Sequence, residues 1–223
     1  MSGRPPILFA LALLGGAVSA HAQEALTPAQ VQAIGTQMMN APAPLATLSS
    51  QASTAVMLLG HTVGGKWFPL AAMVGGPSVI RIDYGQPHLR GRTAFGPGGV
   101  QAFDQVWRTG ANMSTQLTSD VDVTIGGTFI PAGTYSLYTM PSQHGWKLIV
   151  NKQTRQWGTE YDAKQDLARI DLTTRTLQEP QESFTIWLIP AGDPKGPPPS
   201  PATGTLKMAW GTTELSVPWK VGR

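Results

Sequence analysis

The chain has 223 residues, 41% of them hydrophobic and 13% charged, with a formal net charge of +3 at pH 7. So few charges, with no cluster of Lys and Arg that could follow a phosphate backbone, exclude nucleic acid as a partner. The sequence holds no cysteine, which excludes a disulfide scaffold, a thiolate nucleophile and a thiolate metal site.

The first element is a targeting segment. Arg4 supplies a positive start, Ile7 to Val18 form an apolar run too short to span a bilayer, and Ala20-His21-Ala22 offers small residues to a signal peptidase. Residues 1–22 are expected to be a signal peptide cut before Gln23, leaving a periplasmic or secreted chain with no transmembrane segment. The next stretch, "LTPAQVQAIGTQMMN", reads as a helix over residues 27–39. Thr27 is its N-cap, Pro28 sits at its first position, Gln30 completes a capping box, and Val31, Ile34 and Met38 make a narrow apolar stripe. With "APAPLATLSS" as a linker, residues 23–50 form an N-terminal helix and linker.

Residues 51–223 read as one β domain. "TAVMLLGHTVGGKWFPLAAMVGGP" predicts one or two strands joined by glycine turns. In "SVIRIDY" the alternation puts Ile80, Ile82 and Tyr84 on one face and Arg81 and Asp83 on the other. "VDVTI" likewise puts Val121, Val123 and Ile125 inside and Asp122 and Thr124 outside, before Gly126-Gly127 turns the chain into "TFI". "PAGTYSLYTMP" is a turn and a strand. "GWKLIVN" sets Trp146, Leu148 and Val150 inside against Lys147 and Asn151 outside. "LARIDL", "SFTIWLI", "TLKMAW" and "TELSVPW" continue the series, and "PAGDPKGPPPSPATG" is a Pro-rich surface loop. The expected fold is an all-β antiparallel sandwich with jelly-roll or Greek-key connections and an N-terminal helix.

"DYGQPHLRGRTAFG", "VWRTGANMST", "IPAGTYSLYTMP", "WKLIVNK", "QWGTEYD" and "KQD" follow in this order, and "VPWK" lies near the C-terminus. In these motifs the chain resembles a bacterial secreted family, domain of unknown function 2911. The resemblance implies a secreted all-β domain without established activity, and it puts weight on Gly91, Arg92, Trp107, Arg108, Gly110, Asn112, Thr115, Trp157, Gly158, Tyr161, Asp162 and Asp166. His88 stands where the family does not demand a histidine.

Arginine beside tryptophan can stack while its fork of donors holds a carboxylate or carbonyls, and Asn112 can cap its own turn. The favoured reading is that Arg92 and Arg108 are partly buried and tie loops to strand ends, with Arg108 an architectural clamp bonded to backbone carbonyls or to an acid such as Asp162 or Asp166. In the other reading, Arg92 and Arg108 line a cleft for an anionic or polyhydroxylated ligand. The candidate ligand-binding set is Arg92, Arg108, Asn112, Thr115, Trp157, Tyr161 and Asp162.

Catalytic templates find less support. His21, His61, His88 and His144 show no paired spacing, so no metal or other cofactor is expected. No G-x-S-x-G nucleophile turn occurs. Asp83, Asp104, Glu160, Asp162, Asp166 and Asp171 could supply a carboxylate pair. Trp146 and Trp219 read as core, whereas Trp67 and Trp157 remain candidates for stacking on a sugar. The function expected is a non-catalytic binding or structural module of the cell envelope for a polar or anionic small ligand or a glycan. The alternative is a hydrolase of envelope or polysaccharide substrates, with a carboxylate pair and an arginine-lined cleft.

Overall fold

The structure, a computed structural model, describes Pro28, Gln32 and residues 49–58, 60–63, 66–69, 77–192 and 202–223. The signal segment, the helix expected over residues 27–39 and the linker fall, apart from Pro28, Gln32 and the last two linker residues, outside these, as do residues 193–201 of the Pro-rich loop. Among the described residues no helix is long and apolar enough to cross a membrane.

The described protein is all-β and antiparallel. Its strands are β1 (Ser50–Leu58), β2 (Gly60–Val63), β3 (Lys66–Pro69), β4 (Ser78–Gln86), β5 (Thr115–Ser119), β6 (Val123–Ile125), β7 (Thr128–Ile130), β8 (Gly133–Met140), β9 (Trp146–Asn151), β10 (Asp166–Pro190) and β11 (Thr203–Val221). Nine of them join in the order β1-β4-β5-β8-β9-β10-β11-β6-β7, and β2 and β3 pair as a separate hairpin.

Local sequence explains much of this. β4 buries Ile80, Ile82 and Tyr84 and turns Arg81 outward, as its alternation demands. Gly126 and Gly127 take φ of 54° and 81°, the left-handed pair that a two-residue hairpin between β6 and β7 requires. Thr124 departs from expectation. It is buried, and its hydroxyl donates to the Gly222 carbonyl at 2.6 Å.

The two longest strands join segments that read as separate in the sequence. β10 runs from "LARIDL" through "SFTIWLI", pairing first with β9 and then with β11. Its register with β11 shifts between Thr176 and Gln181. Pro180 sits in that bulge, where its missing N–H breaks no ladder bond. β11 likewise carries "TLKMAW" and "TELSVPW" through Gly211.

One hydrophobic cluster includes Ile82, Leu117, Leu137, Leu148, Val150, Phe184, Ile186, Trp210, Val217 and Trp219. Trp107, Trp210, Phe95 and Phe184 pack ring against ring in it, with Trp107 and Trp210 stacked at 5.6 Å. β8 and β9 are buried on their other face as well. Tyr138 pairs with Ile149 and Ser136 with Asn151 across the two strands, and all four are fully buried. Directly paired residues share a face, so something besides the main core covers this one. The cover is the pair of loops that precede β5 and β10, and the pairing leaves Asn151 buried rather than outside with Lys147.

Candidate functional site

Those loops are stitched together by backbone. Met113 bridges Trp157, Ser114 N donates to Gln156 O at 3.2 Å, and Gly158 N donates to Asn112 O at 3.0 Å. Asn112 serves through its backbone, in the left-handed region at φ 63°. The turn before it lies on β4, with Ala111 N donating to Gly85 O at 2.9 Å.

The path of the chain fixes Arg108. Trp107 makes a two-bond bridge with Thr139, at 2.8 and 2.9 Å, and sits in the core. Strand alternation then delivers Arg108 to the opposite face, the one that carries Tyr138. Next comes Thr109, buried and held at φ 53°. For a β-branched residue that conformation costs about 1–3 kcal/mol, a strain that clusters at functional sites. Thr115 secures the strained turn: it is fully buried, and its hydroxyl donates to Thr109 O at 2.7 Å.

Arg108 is half-buried and borders a cavity of about 350 Å³. Trp107, Trp210, Val106, Tyr138, Gly158 and Tyr161 also line it, and Arg92 stands at its wall. Among the described residues no Asp or Glu lines the cavity, and the Arg108 guanidinium has no ion-pair or hydrogen-bond partner. Burial pulls Arg108 below the usual guanidinium range, and the nearby Tyr138 opposes this only in part. Tyr138 is pushed upward by burial. Gln156 Nε2 donates to its oxygen at 2.9 Å, so the phenol proton stays uncommitted. Ser136, which donates to Gln156 Oε1 at 3.2 Å, fixes that amide.

The clamp expected of Arg108 belongs instead to Arg169. Asp166 Oδ2 accepts from Arg169 Nε at 2.9 Å and from the Tyr161 hydroxyl at 2.7 Å, and Asp166 Oδ1 accepts from Asn151 at 2.9 Å. Burial and the Asp166 carboxylate push the Tyr161 hydroxyl up to about 12. Asp162 caps the short 3-10 turn Ala163–Gln165 by accepting from Lys164 N. Arg108 reaches neither acid because Arg169 and the local turn already satisfy them.

The other expected residues separate in the same way. Arg92 is the loop clamp of the pair: its Nε donates to Leu89 O at 2.9 Å and a terminal nitrogen to His88 O at 2.7 Å. His88 itself lies between Ser183 and Ser50, at 2.8 and 3.2 Å. Trp157 is 46% exposed and stands beside Met113, outside the cavity wall. The side chain of Trp67 lies outside the described residues. The cavity thus gathers Arg108, Tyr161 and Arg92 from the candidate set, while Asn112, Thr115 and Asp162 support it from behind. Tyr138 and Gln156 were missed. Both lie in motifs that marked them, "TYSLYTMP" and "QWGTEYD".

No curated protein and no solved structure matches the chain. Residues 70–219, well over half of the sequence and including Arg108, Tyr138, Gly158 and Tyr161, match the family described as "Protein of unknown function (DUF2911)", and the chain belongs to that family.

Proposed function

We propose that the chain is an exported, non-catalytic binding module of the cell envelope, a β-sandwich whose Arg108 cavity receives an anionic group on a small ligand or glycan. The sandwich reading rests on β10 and β11, which run through both halves of the sheet while one core serves them both. Export rests on the apolar run and the Ala20-His21-Ala22 site.

The observation that carries the binding reading is Arg108 itself. A half-buried guanidinium with no carboxylate or carbonyl partner costs stability, and here strained backbone delivers it to a cavity wall. Such a group is retained for what it meets there. The hydrolase reading needs two carboxyl groups facing one cleft, and among the described residues no Asp or Glu lines this wall.

The test is thermal unfolding of the mature protein across a panel of small anions and matched neutral compounds. Anions that raise the melting temperature of the wild type, but not of Arg108→Met, support the reading. If no anion has any effect, or if both proteins respond alike, it is wrong.

A further inference from the structure

We propose that the ligand of this cavity is a ring-bearing monocarboxylate about the size of one sugar or one aromatic acid, held by the Arg108 fork and the Tyr138 hydroxyl. This rests on the anion-binding reading and adds the charge, shape and size of the ligand.

Charge comes first. Among the described residues the wall presents two guanidinium groups, and Arg92 spends two of its nitrogens on the carbonyls of His88 and Leu89. Arg92 keeps its charge but has fewer donors to offer, whereas Arg108 keeps its whole fork free. A carboxylate held by that fork pairs with Arg108 alone.

Donor geometry points the same way. Sites for phosphate typically gather free backbone N–H groups into a cradle. Here the Ala111 and Gly158 amides at the wall are both spent, on Gly85 O and Asn112 O. The charged donor group left whole at the wall is the planar fork of Arg108, which matches the two oxygens of a carboxylate with parallel bonds. The Tyr138 proton adds a further donor, because Gln156 occupies the phenol as a donor and not as an acceptor.

Size and body follow from the rest of the wall. A volume of about 350 Å³ lies at the small end of ligand pockets. Beyond the arginines the wall includes Gln101, Thr159 and glycine backbone, and its apolar members are Val106, Val100 and the largely buried Trp107 and Trp210. These suit the apolar face of a ring, either of an aromatic acid or of a uronic acid.

Isothermal titration of the mature chain separates the possibilities. The probes are benzoate and D-glucuronate, the neutral benzyl alcohol and D-glucose, and inorganic phosphate and sulfate. At least one carboxylate should bind one to one, at least about tenfold tighter than its neutral partner, since the neutral partner forgoes the charge-assisted bonds to the fork. The source is aromatic if benzoate wins and saccharide if glucuronate wins. Arg108→Met should abolish binding, Arg108→Lys should weaken it about tenfold or more by losing the fork, and Tyr138→Phe should weaken it about fivefold. Phosphate or sulfate binding more tightly than both carboxylates would overturn the monocarboxylate proposal and leave the anion reading standing. A response to none of the anions, or neutral probes binding as tightly as the carboxylates in the wild type and in Arg108→Met, would overturn both. Unchanged affinity in Tyr138→Phe would remove Tyr138 from the site.

Discussion

Gly158 lies so close to Arg108 that a methyl group on its Cα would stand 2.2 Å from Arg108 Cδ and 2.7 Å from the Asn112 carbonyl oxygen. The stem of the arginine therefore passes over bare backbone, and two motifs far apart in sequence make one cradle. Gly158→Ala should destabilise the protein by about 1–3 kcal/mol through overpacking. Arg108→Ala removes Cδ, the closest of three clashes, and leaves Arg108 Cβ at 2.9 Å and the Asn112 oxygen, so the double variant should be less destabilised than the sum of the single ones by about 0.5 kcal/mol or more. Chemical denaturation of the four proteins measures this, and strict additivity would mean that Gly158 does not cradle Arg108.

Alternation within single strands was legible. Ile80, Ile82, Tyr84, Trp146 and Trp219 are buried where period two put them, and Gly126-Gly127 turns its hairpin. Less was legible where a second layer intervenes. Asn151 and Ile149 are buried because loops cover the outer face of β9, and no local period records a cover that comes from elsewhere in the chain. The span of β10 was hidden by the polar run around Pro180, which a bulge absorbs. For Arg108 the sequence showed an arginine at a strand end with acids available, but not that Arg169, three residues after Asp166, would take Asp166. Gln156 and Tyr138 were hidden because their roles depend on a register between β8 and the 152–162 loop that only the fold supplies.

All four tyrosines are shifted upward, Tyr84, Tyr135 and Tyr138 chiefly by burial and Tyr161 to about 12 by burial and its bond to Asp166. A phenol with a raised folded pKa contributes stability that is complete below the unfolded value near 10 and is lost as pH rises through the folded value. Absorbance at 295 nm should therefore show little tyrosinate before about pH 10, and stability should fall between about pH 10 and 12. Tyr161→Phe should flatten that fall. A tyrosine that titrates normally near pH 10 in the folded protein would contradict the packing described for these side chains.

Mass spectrometry of the protein recovered from the periplasmic or culture fraction tests export. The first residue should be Gln23. An intact Met1 in that fraction would contradict the signal peptide.

The central claim is that Arg108 is held for a ligand and not for the fold, and the melting temperature of Arg108→Met without ligand tests it most directly. Methionine keeps an unbranched stem over Gly158 and removes a charge that burial disfavours. The variant should melt within about 2 °C of the wild type or above it, as substitutions that break no partnered group do. Breaking a buried charge pair costs about 3–5 kcal/mol, which in a chain of this size lowers the melting temperature by roughly 6 °C or more. A fall of that order would make Arg108 a clamp and contradict the account.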